Sequence, residues 1–106
     1  MNQKIIYIAG PMRGYEDYNS KAFNDKEKVL RELGYLVINP SILPKNLPEE
    51  HYMPICLAMV RECDAVIMLD GYQSSSGSMV EYSFAIQCHI PVFTSTSELQ
   101  NFFFNY

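Results

Sequence analysis

Lys4-Ile5-Ile6-Tyr7-Ile8-Ala9-Gly10-Pro11-Met12-Arg13-Gly14 is the stretch on which the fold turns. Five apolar, mostly β-branched residues follow Lys4 and stop at Gly10-Pro11, the mark of a strand that ends in a turn. Lys4–Ala9 is therefore predicted as the first strand. Beyond a polar loop, Asn19 or Ser20 can cap a helix running to about Leu33, with an apolar stripe of Ala22, Phe23, Val29, Leu30 and Leu33. Gly34 suits the left-handed stop, and Tyr35–Ile38 reads as a second strand closed by Asn39-Pro40. Ser41 to Glu50 contains Pro44 and Pro48 and reads as a loop.

A second helix is expected from about Pro54, a good first-turn residue, to Glu62. Its Ile55–Val60 segment is apolar nearly all round, which implies burial on two sides or a place in a subunit interface. Ala65–Leu69 is a continuous apolar run suited to the middle of a parallel sheet. Gly71–Ser78 is a Ser/Gly loop, followed by a helix from about Gly77 to Cys88, a strand at Ile90–Phe93 and a short helix from about Ser97. Strand–helix alternation with short links predicts an α/β fold: a single domain, residues 1–106, with a doubly wound Rossmann-like or flavodoxin-like sheet. That sheet should have four to five mainly parallel strands and helices on both faces.

Composition narrows the classes of function. The chain of 106 residues is 48% hydrophobic, enough for a core, and its formal charge of −4 argues against a nucleic-acid polymer as partner. Lys21, Lys26, Lys28 and Arg31 alternate with Asp25, Glu27 and Glu32, which reads as a solvated helix face with pairs such as Glu27–Arg31. The apolar runs are far too short to span a membrane, and Met1-Asn2-Gln3-Lys4 lacks the basic-then-apolar pattern of a signal peptide. A cytoplasmic chain is expected. Cys56, Cys63 and Cys88 form no C-x-x-C, and His51 and His89 lie far apart, so neither a disulfide framework nor a metal site is expected.

Ligands of doubly wound sheets bind beyond the carboxyl ends of the strands. That rule singles out Gly10–Asp17, the loop around Asn39-Pro40, and Asp70–Ser78. In the first loop, Gly10 and Gly14 allow close backbone approach, Met12 lies between them, and Arg13 offers a forked cation. Equally, these residues suit a Gly/Pro turn with a solvated Arg. In the third, Ser75, Gly77 and neighbouring serines precede a helix and make an anion cradle. Glu81 follows near the helix start, where an acid also complements the dipole. A parallel sheet brings both loops to one edge, where a carboxylate beside a sugar carbon can attack C1′ and form a glycosyl ester. Asp70, at a strand end on this edge, suits a catalytic role as well as a turn.

Ile-Tyr-Ile-Ala-Gly-Pro-Met-Arg-Gly, Tyr18-Asn19, Phe23, Asn39-Pro40, Cys63-Asp64-Ala65-Val66 and Ser75-Ser76-Gly77 with Glu81 together resemble the short phage and bacterial branch of the nucleoside 2-deoxyribosyltransferase superfamily. The resemblance covers nearly the whole chain. It implies a glutamate nucleophile at Glu81, oriented by Tyr7, and a substrate loop at Gly10, Met12, Arg13 and Gly14, with Asn39, Ser75 and Gly77 completing the binding set. It implies no cofactor. Six residues before the nucleophile, the transferases carry an aspartate and the 2′-deoxynucleoside 5′-monophosphate N-glycosidases a phosphate-binding serine; here Ser75 stands there. A hydroxyl donates to phosphate where a carboxylate would repel it.

The resemblance thus implies hydrolysis or transfer at the N-glycosidic bond of a (deoxy)nucleoside 5′-monophosphate or related nucleotide, in a homodimer or higher homo-oligomer. One departure stands against it. The family's leaving-base aspartate falls on Cys56, a poor proton donor, which leaves that role to Asp70 or to the loop residue His51. The departure supports the alternative of a non-catalytic nucleotide-binding module. In the transferases a C-terminal asparagine reaches a neighbour's active site; Asn105 resembles it, whereas Phe102–Phe104 are expected to pack on the chain's own core.

Overall fold

The computed structural model describes residues 3–104. Four parallel strands, β1 (Ile5–Ala9), β2 (Leu36–Ile38), β3 (Ala65–Met68) and β4 (Val92–Phe93), stand in the order β2-β1-β3-β4. Tyr7 pairs in register with Ile38 on one side and Val66 on the other. Four helices connect and flank them: α1 (Ser20–Glu32), α2 (Glu49–Arg61), α3 (Ser76–Gln87) and α4 (Thr96–Phe104). The strand order reverses between β1 and β3, so the crevice expected of such sheets opens beside the carboxyl end of β1.

The period of two along each strand divides the core. Ile6 and Ile8 of β1 join Ala65 and Ile67 of β3 against Phe23 and Leu30 of α1 and Leu99 of α4. Tyr7 and Ala9 join Val66 and Met68 on the other face, against Cys56 and Val60 of α2 and Ala85 of α3. Tyr7 thereby points to the face that carries α3. A slip of one residue would turn it to the opposite layer.

Several elements differ from expectation. On α1, Phe23 and Leu30 are buried, but Val29 and Leu33 are 42% and 39% exposed, because a 13-residue helix needs only a narrow stripe against so short a sheet. Asn19 stands at the cap position in a left-handed conformation and makes no cap; its Nδ2 donates to the Pro11 carbonyl instead, at 2.9 Å. Gly34 does adopt the left-handed stop, at φ 98°.

Helix α2 starts at Glu49, five residues before Pro54, which lies inside it. The Pro48 carbonyl accepts the N–H groups of His51 and Tyr52 at 2.9 and 2.8 Å, and Glu49 and Glu50 complement the dipole. These starts outweigh the proline penalty. Nor is α2 buried on two sides, since Ile55 and Ala58 stand exposed. Of the three phenylalanines at the end of the last helix, Phe103 packs on the core, whereas Phe102 and Phe104 are mostly exposed. Among the described residues, no helix is long and apolar enough to cross a membrane.

Candidate active site

Ser75 caps α3: its backbone is extended and its Oγ accepts the Ser78 N–H at 3.1 Å. Ser76 and Gly77 then begin the helix with N–H groups that have no intrahelical partner. From there Ser78, Glu81 and Ala85 fall on one face and are buried against the sheet. Glu81 lies in the second turn and is only 4% exposed, so dipole complementarity at an exposed helix start does not account for it.

Tyr7 meets Glu81 across the core, its Oη donating to Glu81 Oε2 at 2.5 Å. Burial pushes the Glu81 carboxyl up to about 7; the Tyr7 hydrogen bond and Cys56 oppose that shift, and the Glu49 charge adds to it. The Tyr7 phenol is itself held far above its ordinary range by burial and by the Glu81 charge. Cys56 packs in the same core layer as Tyr7, and burial pushes its thiol up to about 11.

Glu81 forms part of the wall of a cleft of about 710 Å³. The Gly10–Tyr15 loop, the segment from Pro40 to Pro48, the start of α2 and the start of α3 enclose it. Of the residues predicted for the site, Gly10, Met12, Arg13, Gly14, Ser75, Gly77 and Glu81 all line this cleft, with Tyr7 holding the carboxylate from behind. Gly10 is required for packing, since a Cβ there would come within 2.8 Å of Leu69 Cβ, and Gly14 for its φ of 82°. A Cβ at Gly77 would meet Met53 Cε at 3.3 Å, so its absence lets α2 and α3 close together at the cleft.

Arg13 pairs with Glu49 at 2.8 Å with its side chain 77% exposed. Such pairs contribute only about 0–1 kcal/mol, so an anion in the cleft can draw Arg13 away at little cost. Two of the predicted residues are not brought in. Asn39 is buried outside the cleft, where its Nδ2 donates to Asn24 Oδ1 and Glu27 Oε1 and its Oδ1 accepts the Ser41 N–H. Every polar atom of its amide is thereby engaged, which makes it a strut between β2 and α1. Asp70, just after β3, is exposed and borders a separate hollow of about 280 Å³ beside Lys26 and Thr94.

His51 lies on α2, exposed, not in a loop. Asn105 is outside the described residues. Sequence reasoning missed Glu49 and Tyr52, because α2 was expected to start after them. Tyr52 lines the cleft and donates from its hydroxyl to Met12 Sδ at 2.9 Å. Ser78 was also missed; nothing in the spacing separates it from its neighbouring serines.

Residues 4–94 match the family described as a domain of unknown function, DUF4406. The chain belongs to that family. No curated protein matches it. Among solved structures, its fold is similar to that of a 2-deoxyribosyltransferase from the psychrotolerant bacterium Bacillus psychrosaccharolyticus, described as a biocatalyst for nucleoside synthesis. The two are 24% identical with a TM-score of 0.66, over 83% of this chain and 69% of that one. This DUF4406 chain and the transferase therefore share a flavodoxin-like architecture, with the four-stranded parallel sheet and flanking helices described above.

Proposed function

We propose that this DUF4406 protein breaks or exchanges the N-glycosidic bond of a nucleoside 5′-monophosphate or closely related nucleotide. The observation that carries the reading is the buried Tyr7–Glu81 pair at the wall of a cleft that also holds Arg13 and the open start of α3. Glu81, ionised, attacks C1′ from one face; the C1′–N bond breaks and its electron pair leaves with the base, which takes up a proton from solvent water in the open cleft. Water or a second base then cleaves the glycosyl ester and returns the carboxylate. Tyr7 orients Glu81 throughout. Ser75, whose hydroxyl hydrogen is not used in its cap, joins the Ser76 and Gly77 N–H groups and Arg13 in holding the phosphate.

The α2 carboxylate that reaches the cleft is Glu49, two turns before Cys56 and paired with Arg13. The shared architecture with a deoxyribosyltransferase supports the same chemical class. A non-catalytic nucleotide-binding module is the second reading, favoured by the thiol of Cys56 where the resemblance places an acid.

Incubation with a panel of ribo- and deoxyribonucleoside 5′-monophosphates, with free base followed by chromatography, tests the proposal. Base release by the wild-type protein and its loss in Glu81→Gln, with ligand affinity kept, is the expected result. Ligand-dependent thermal stabilisation without release supports the binding module. Unchanged release in Glu81→Gln removes Glu81 from the mechanism.

A further inference from the structure

One turn before Glu81 on the same face of α3, the Ser78 hydroxyl is 1% exposed and has no hydrogen-bond partner. Among the described residues it is the one buried side-chain polar atom left so. A buried hydroxyl without a partner costs roughly 1–3 kcal/mol, so such groups are rare and call for a cause. Packing does not supply one, because alanine would fill most of the same space without the penalty. The position does: Ser78 lines the cleft together with Ser75, Gly77 and Glu81.

Resting on the proposed reaction, we infer that Ser78 is a specificity residue that hydrogen-bonds the 2′-hydroxyl of a ribosyl substrate, and that the protein acts on ribonucleotides in preference to 2′-deoxyribonucleotides. Residues three apart on a helix are surface neighbours, with about 5–6 Å between Cβ atoms. A sugar whose C1′ meets the Glu81 carboxylate has C2′ and O4′ as its neighbouring ring atoms, and of the two it is C2′ that carries a hydroxyl able both to donate to and to accept from the Ser78 hydroxyl. The phosphate end is served separately, by the Ser75 hydroxyl, the free N–H groups of Ser76 and Gly77, and Arg13. Ser78 lies between these two anchors. Its own N–H is already taken by Ser75 Oγ, so its free group is the hydroxyl alone, a donor and acceptor matched to another hydroxyl. A deoxyribose leaves that buried group unpaired, and sites built to bond a hydroxyl reject analogues that lack it.

The test compares kcat/KM for paired ribo- and deoxyribonucleoside 5′-monophosphates in wild type and Ser78→Ala, with Kd measured for the same pairs on Glu81→Gln. Wild type is expected to favour the ribonucleotide by about 10- to 100-fold. Ser78→Ala should reduce that ratio to near unity by lowering the ribonucleotide value, with thermal stability of the free protein unchanged or raised. A wild-type preference for deoxyribonucleotides, or an equal effect of Ser78→Ala on both sugars, overturns the inference while leaving the glycosidase reading intact. A drop in stability in Ser78→Ala with the sugar preference unchanged also overturns it, and makes the hydroxyl structural. If no base is released, the Kd ratio on Glu81→Gln carries the same expectation. Absence of both turnover and binding refutes the proposed function and this inference with it.

Discussion

At Glu81 two opposing effects set the carboxyl near neutrality: burial raises it to about 7, and the Tyr7 hydroxyl holds it from rising further. In the proposed reaction Glu81 acts in its ionised form, so base release should climb as pH rises through about 7 and level off above. Tyr7→Phe removes a hydrogen bond that favours the charged form. The rising limb should then move upward by about one to two pH units, with a lower rate at neutral pH. A pH–rate profile of the two proteins checks this, and an NMR titration of the Glu81 carboxyl provides the same reading without turnover. An unmoved limb would mean that Tyr7 serves only to pack the core. Arg13 is the opposite case: its pair with Glu49 is exposed and contributes at most about 1 kcal/mol to stability.

Among the elements, α2 bears the clearest internal conflict. Pro54 has no N–H for the Glu50 carbonyl, and its ring crowds that same group, a cost of up to about 3 kcal/mol within a helix. The helix forms nonetheless because Cys56 and Val60 are buried against the sheet and the Pro48 carbonyl starts it. Pro54 is exposed, so Pro54→Ala restores the bond without disturbing the core. It should stabilise the protein by about 1–3 kcal/mol, read as a rise in urea midpoint at unchanged slope. A loss of stability would show that the proline fixes the start of α2 for other reasons. The loop before α1 holds a second strained segment: Asp17, Tyr18 and Asn19 are all left-handed, at φ 51°, 53° and 65°. Side chains hold that turn, through Ser20 to Asp17, Lys45 to Asp17, and Asn19 to the Pro11 carbonyl. Lys45 and Pro11 both line the cleft, so the strain sits at its rim.

For the whole molecule, a carboxyl raised in the native state makes folding stability depend on pH. Unfolded, Glu81 titrates near the ordinary 4.5; folded, near 7. Between those values the native state binds the extra proton, so the stability associated with neutral Glu81 is full below about 4.5 and is lost as pH rises through about 7. Glu81→Gln keeps the shape and cannot ionise. Its advantage over wild type in denaturant midpoint should therefore appear above about pH 4.5, grow to a few kcal/mol by about pH 7, and stay constant beyond. A difference that is flat across this range would place the carboxyl in a wetter setting than its 4% exposure implies.

Periodicity and turn residues alone determined the strand–helix alternation, because each element is a local property of the chain, and the short links of that alternation imply a parallel sheet. The Gly34 stop and the Glu27–Arg31 pair were legible for the same reason. Only the tertiary structure decided which candidates meet. Asn39 and Asp70 carry the right groups at the right edge, yet one has its amide engaged by Asn24 and Glu27 of α1 and by the Ser41 N–H, and the other borders a separate hollow. The start of α2 was illegible because tertiary burial outweighs a proline's local cost, and Glu49 and Tyr52 went unseen with it. The orphaned hydroxyl of Ser78 belongs to the same class: burial and the lack of a partner are relations among distant segments, which no window along the chain contains.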